Sequence, residues 1–449
     1  MLDIRLFREN LDVILESERR RGKDPNIARM VLDYDIKWRN ELKKLEMLRH
    51  ERNINSMRVG KLKKEKKDVS GIIEKVKKIN EEIKKSEERA ELYLKKRDEL
   101  RYKVGNILHE SVPDGSGESS NVPVRFHGVA KVWRGHLETF KKETKERMRY
   151  VILEEKPASH VEIIERYGLA DLVRASKVSG ARFYYLKNEL VILNYALQRF
   201  ALDYLAKKGF TLFYTPFMIN YEAIRGAAEL GDFEEMLYKI DGKNLFLIAT
   251  AEQTLAAYHM NETLQEEELP KLYAGFSTNF RKEAGAHGLD TKGIFRVHQF
   301  DKIEQYVFCL PEESWKWHEE LIKNAEELFK NLAIPYRVIN ICAGDMNDNA
   351  AKKYDIEAWM PSQGRFREVV SCSNTTDYQA RKLNITVRRK NGTKEVVHTL
   401  NSTAIATQRT IVAILENNQE DGVIKVPDVL HKYTGFKEII LKGANSGSN

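Results

Sequence analysis

Two stretches, Phe280-Arg281-Lys282-Glu283 and Arg296-Val297-His298-Gln299-Phe300-Asp301-Lys302-Ile303-Glu304, decide how this chain of 449 residues is read. Between them lies Ala284-Gly285-Ala286-His287-Gly288-Leu289-Asp290-Thr291-Lys292-Gly293, a loop punctuated by glycines. The spacing predicts a strand, a loop and a second strand that begins at Ile294, with charged side chains at both bases. Loops held between rigid strands are common ligand platforms, although an ordinary surface hairpin has the same outline.

Outward from this pair, apolar runs at Leu245–Ala249, Gly293–Gln299 and Glu304–Leu310 read as further strands, and Leu186–Lys208 and Trp315–Leu332 as amphipathic helices. Thr211 to Pro216 is a short strand broken by proline. Asn391-Gly392, flanked by Ile385–Arg388 and Glu395–His398, is a hairpin signal, and a helix is expected over Ala404–Asn417. Short strands, hairpins and intervening helices predict an α+β domain, an antiparallel sheet flanked by helices. The tail 443–449, rich in Gly, Ser and Asn, is expected to be mobile.

The first quarter is different. No proline occurs between Pro25 and Pro113, and the only glycines there are Gly60, Gly71 and Gly105. Ile72, Val76, Ile79, Ile83, Ala90, Tyr93 and Leu100 keep alternating spacings of four and three, with Ser86 and Arg97 at two seam positions. That is a coiled-coil seam, continued more weakly through Trp38, Leu42 and Leu45. Gly60 to Gly71, with Lys61, Lys63, Lys64, Lys66 and Lys67, reads as the reversal. The prediction is an N-terminal, long antiparallel coiled-coil helical arm of two helices, each about 45 Å long at 1.5 Å per residue. The linker-like Pro113-Asp114-Gly115-Ser116-Gly117 places the domain boundary at 1–112 and 113–449.

Charge points the same way. Residues 31–110 hold 23 Lys+Arg against 16 Asp+Glu, while the whole chain carries +8. A solvated coiled-coil face is charged anyway, but a thin basic rod with a lysine tip suits a phosphate backbone. Three widely spaced cysteines, Cys309, Cys342 and Cys372, exclude a disulfide framework and a cysteine zinc site. No apolar run approaches the roughly 18 residues of a membrane span, and the start lacks a signal-peptide pattern. The expectation is a cytoplasmic protein without a membrane partner.

Neither a GxxxxGK[ST] loop nor a GxGxxG after a strand is present, so any nucleotide phosphate must be gripped by side chains. Glu368 and Ser371 place hard oxygens three positions apart, a pattern suited to Mg²⁺. Arg409 opens an otherwise apolar helical run, snorkelling or aimed at a ligand.

Together these segments resemble the seryl-tRNA synthetases of the class II aminoacyl-tRNA synthetases, over essentially the whole chain. Phe280–Gly285 with Arg296–Glu304 resembles the second class II motif, Gly209–Pro216 the first, and Leu400–Asn417 the third. The glycines usual at the start of the third motif are replaced by Ser402, Ala404, Ala406 and Thr407-Gln408, a pattern similar to archaeal members. The resemblance implies ATP-dependent activation of L-serine and its transfer to tRNA(Ser), with tRNA(Sec) a further acceptor to test. It implies that Thr250, Ala251, Glu252, Glu304 and Thr403 contact serine. Arg281, Lys282, Glu283, Val297, Phe300, Glu368, Val369, Val370, Ser371 and Arg409 would contact ATP. Arg281 and Arg409 would be catalytic, Glu368 and Ser371 would hold Mg²⁺, and loop 285–293 would help seat the tRNA acceptor end. A homodimer is implied, with Pro216 at its interface. Two rival readings, a ligase that loads a carrier protein and a degenerate RNA-binding relative, are weakened by the arm and by the presence of Arg281, Glu368 and Arg409.

Overall fold

The computed structural model describes residues 1–229, 236–283 and 292–441. The chain divides into two compact units, Met1–Ile107 and Leu108–Asn449.

The first unit is helical. Short helices Ile4–Glu9 and Leu11–Arg20 precede α1, Asn26–Lys64, and α2, Ser70–Arg101. The helix runs through Gly60 and the reversal occupies residues 65–69, so the hairpin is longer than glycine punctuation alone suggests. Leu45, Ile79, Ile83 and Ala90 are buried in the seam, backed by Trp38 and Leu48. Leu42 is exposed, a correction to the expected seam: Glu41 turns inward in its stead and accepts from Ser86 Oγ. A polar side chain on α2 thus selects a polar neighbour on α1. The Arg97 guanidinium lies 4.8 Å from the Trp38 ring centroid. Asp35, fully buried, joins Arg8 at 2.8 Å, Arg39 at 3.0 Å and Arg97 at 3.2 Å. Burial works against its charge, yet the three arginines outweigh it and hold the carboxyl below its ordinary pKa.

The second unit is built on eight strands: β1 Val122–His127, β2 Thr211–Tyr214, β3 Lys271–Phe280, β4 Gln299–Cys309, β5 Tyr336–Asn340, β6 Lys352–Met360, β7 Arg365–Thr376 and β8 His398–Ala406. Their order is β1-β5-β6-β7-β8-β4-β3-β2, antiparallel throughout except that β2 runs parallel to β3 at one edge. Helices α3 Glu189–Lys207, α5 Ser314–Asn331 and α6 Thr407–Asn417 bury their apolar stripes against one sheet face. Ile411, Ile414 and Leu415 of α6 are fully buried, each worth on the order of 2 kcal/mol of apolar transfer.

The period-2 rule separates the faces of β4. Ile303, Val307 and Cys309 join the helix-covered core, whereas Tyr306 and Phe308 join a second cluster with Ala251 and Leu255 of the short helix α4, Ala251–Ala256. Gly275 of β3, opposite Glu304, permits that close approach: a Cβ there would lie 2.9 Å from Leu255 Cδ1 and 3.2 Å from Ala251 Cβ. The hairpin around Asn391-Gly392 forms as expected, pairing Thr386–Arg388 with Lys394–Val396. The strand expected from Ile294 begins only at Gln299. Ile294, Phe295 and Val297 are all buried without alternation, and the His298 amide is drawn to the carbonyl of Arg182, so the segment packs as a turn. Among the described residues no helix is long and apolar enough to cross a membrane.

Candidate active site

A cavity of about 270 Å³ opens on the sheet face away from α3, α5 and α6, walled by side chains from the β3 end, β4, β6, β7, β8 and the start of α6. Arg281 leaves the end of β3 into it. Its amide donates to the His298 carbonyl at 2.9 Å and its Nε to the Ala249 carbonyl at 3.2 Å, so backbone on two sides aims the guanidinium. That guanidinium lies 5.1 Å from the centroid of the Phe300 ring. Burial pulls the Arg281 pKa down, with Glu283 opposing and Arg409 adding to the shift. Arginine nevertheless keeps its charge at neutral pH. Glu283, at φ 49°, accepts from Arg296 Nε at 2.6 Å.

On the other wall Arg409 sits in the first turn of α6. Its Nη1 donates to the Glu368 carbonyl at 2.9 Å and stands 3.3 Å from the Glu368 carboxylate. Two guanidinium groups stand near the Phe295 ring, Arg367 at 4.0 Å and Arg409 at 5.0 Å from its centroid, within cation–π range. Desolvation opposes ionisation of Glu368, but Arg409, Lys353 and Arg281 outweigh it and keep the carboxyl below its ordinary range. Arg281 and Arg409 share this cavity with Glu368 and Ser371, and guanidinium pairs of this kind are the chemistry that grips phosphate groups. Glu368 and Ser371 are hard oxygen donors, the chemistry Mg²⁺ takes. Among the described residues no three His, Cys, Asp or Glu side chains converge as a metal cage, so an ion at Glu368 would complete its shell from phosphate and water.

A second, acidic compartment adjoins the first. Lys302 lines the cavity and its ammonium is ion-paired with Glu304, both groups being buried. Burial pushes Glu304 up, against the pull of Lys302 and Arg281. Thr250 caps α4, accepting from the Glu252 amide at 3.2 Å, and its hydroxyl lies 3.5 Å from Glu304 Oε2. Glu252 is half-buried, and desolvation followed by the charge of Glu304 raises its pKa to about 7. Glu252 and Glu304 thus stand close enough for the charge of one to raise the pKa of the other.

Of the residues singled out from the sequence, Arg281, Glu283, Val297, Phe300, Glu368, Val369, Ser371, Thr403 and Arg409 line one cavity. Thr250, Glu252 and Glu304 cluster beside it through Lys302, and Ala251 is buried at the start of α4. Lys282 points to solvent, and Val370 packs into the helix-covered core. Loop residues 284–291, and with them the end of Phe280–Gly285, lie outside the described residues. Sequence reading assigned no role to Phe295, Lys302, Lys353 or Gln379. Lys302 is the one it could have reached, since period 2 in β4 sets residues 300, 302 and 304 on a common face.

A sheet antiparallel but for one edge strand, with its site on the open face and two arginines across a polyphosphate cavity, marks the chain as a class II aminoacyl-tRNA synthetase. Residues 236–418 match the class II tRNA synthetase core domain (G, H, P, S and T), and residues 1–108 match the seryl-tRNA synthetase N-terminal domain. The serine–tRNA ligase of Pyrococcus abyssi is 54% identical over 444 residues, covering 98% of each chain. The crystal structure of seryl-tRNA synthetase from Pyrococcus horikoshii complexed with ATP aligns with a TM-score of 0.95 at 53% identity, over 98% of this chain and 100% of that one. The cytoplasmic serine–tRNA ligase of Naegleria fowleri in complex with AMP aligns with a TM-score of 0.87 at 38% identity, over 99% of both. The chain belongs to the seryl-tRNA synthetase family, the ligases that join serine to tRNA.

Proposed function

We propose that the chain activates L-serine with ATP and passes the seryl group to tRNA(Ser) through the residues placed above. The serine carboxylate attacks the α-phosphorus, the bond to pyrophosphate breaks, and seryl-adenylate forms. The terminal ribose hydroxyl of the tRNA then attacks the adenylate carbonyl, and AMP leaves. The first step needs no general base, because the attacking carboxylate is already ionised. Catalysis is positioning and charge neutralisation.

Arg281 holds the α-phosphate and the incoming carboxylate, and Arg409 the γ-phosphate. Phe300 stacks on the adenine, with Val297 and Glu283 beside the nucleotide. Mg²⁺, held by Glu368 and Ser371, supplies further neutralisation of the phosphates when bound. Glu252 takes the serine ammonium. Glu304 and Thr403 take its hydroxyl, so that alanine leaves these buried groups unpaired. The observation that carries this reading is the adjacency of the Arg281–Glu368–Arg409 cavity to the Glu252–Glu304 pair, linked by Lys302. ATP–pyrophosphate exchange with each of the twenty amino acids tests it: exchange with serine, lost in Arg281→Ala, is expected. Preference for alanine or glycine would move the chain to the carrier-protein ligases.

The arm serves as the tRNA-holding element, on the strength of its basic surplus. A homodimer is proposed through the edge strand β2 and α3, where Leu212, Tyr214 and Tyr195 are exposed. The cytoplasm is the proposed location, in keeping with an enzyme that serves translation. Charging of tRNA(Sec) is tested by adding that tRNA to the aminoacylation assay.

A further inference from the structure

Behind the acidic compartment lies a polar cluster that the reaction outlined above does not use. Gln379, in the short helix Tyr378–Lys382, is fully buried. Its Nε2 donates to Glu252 Oε1 at 2.8 Å and to the Ala227 carbonyl at 2.8 Å, which uses both amide hydrogens. Its Oε1 accepts from Tyr306 Oη at 2.9 Å and lies 3.3 Å from each of two further hydroxyls, Thr399 Oγ1 and Thr375 Oγ1, so no lone pair is left over. Tyr306 and Thr399 are also fully buried. Burial, and then Glu252 nearby, push the Tyr306 phenol far up, so it remains a donor. Turned over, the amide would set its oxygen against a carboxylate and a carbonyl, and its NH₂ against three hydroxyls. The surroundings admit one orientation.

We propose that Gln379 is a positioning residue for serine recognition: its locked amide occupies one oxygen of Glu252 and aims the other at the substrate ammonium. The inference rests on the reading of Glu252 as the ammonium's partner. Glu252 is faced by Glu304 and Glu229, which disfavour its charge, and by Lys302 and the Gln379 amide, which favour it. Against burial and two carboxylates, the neutral donor adds to the pull of Lys302 and extends the pH range over which the charge survives. Tyr306 and Thr399 act one step further back, through the amide oxygen.

The test is ATP–pyrophosphate exchange on the full chain, with serine and ATP varied separately from pH 6 to 9. Glu252→Gln is expected to raise the serine KM at least tenfold. If it does not, the reading of Glu252 fails, and this inference with it. Gln379→Met removes the donor at similar volume. It is expected to raise the serine KM roughly tenfold, to leave the ATP KM in place, and to move the acidic limb of kcat/KM for serine to higher pH. Equal losses for serine and ATP with an unmoved limb would reduce Gln379 to packing and overturn the proposal. Should Gln379→Met not fold, Tyr306→Phe deletes the shortest of the hydroxyl bonds that hold the amide oxygen. An upward shift of the same limb then supports the proposal, and an unmoved limb overturns it.

Discussion

Two ion pairs of like chemistry stand in different regions of this chain. On the arm, Arg49 meets Glu87 at 2.8 Å with about half of each side chain in solvent. In the catalytic unit, Lys302 meets Glu304 with almost nothing exposed. The first pair forms where water and salt already satisfy both charges, so its contribution is small and screened. The second stands where a lone charge would be stranded, so each partner is obligatory to the other. Position in the fold, more than residue type, decides which charges this molecule cannot lose.

Substitutions of graded severity can break that contrast. The largest effect is expected at Arg281→Ala, where serine-dependent exchange should fall by about a hundredfold to a thousandfold, since a positioned charge at the reacting phosphate is lost. A residual rate within tenfold of the parent would show that the guanidinium is not at the reacting phosphate. Lys302→Met is next. Without the ammonium, Glu304 takes up a proton at higher pH, because burial already pushes it that way. The expected outcome is a loss of about tenfold to a hundredfold in kcat/KM for serine, steepest at the acidic end of the profile and partly recovered as pH rises. A uniform loss across pH would mean that Lys302 acts on something other than Glu304.

Neutralising Lys61, Lys63, Lys64, Lys66 and Lys67 together should raise the KM for tRNA severalfold at about 0.1 M salt. It should also flatten the salt dependence of charging and leave exchange untouched. An unchanged salt slope would remove the tip from the RNA contact. Smallest of all, Arg49→Ala should move the thermal midpoint by no more than about 1 °C. A larger shift would show that the exposed pair belongs to a cooperative network.

The same contrast explains what could be read in advance. The arm was legible because a coiled coil writes its packing into spacing: Ile79, Ile83 and Ala90 fall in the seam as the fours and threes require. Leu42 escaped that rule because Ser86, opposite, prefers a carboxylate to a methyl group. The sheet order came through only as a class, since pairing β4 with β8 joins residues about a hundred positions apart. Arg281 and Arg409 stood out as charges at the boundaries of apolar runs. Gln379 did not: a glutamine in a polar stretch carries no signal, and its partner Glu252 lies 127 residues away. Residues 294–298 misled because buried turns and strands share a composition.

Asp35 deserves a mechanical reading. It ties Arg8 of a short N-terminal helix to Arg39 of α1 and Arg97 of α2, and so braces the two long helices at their root. From there to Lys64 is about 29 residues, roughly 44 Å at 1.5 Å per residue. Over that length a tilt of about 5° at the root displaces the tip by about 4 Å, more than a hydrogen bond's reach. One buried carboxylate is therefore the hinge pin of a long lever: loosening it would leave each helix intact while spoiling the aim of the lysines at the far end.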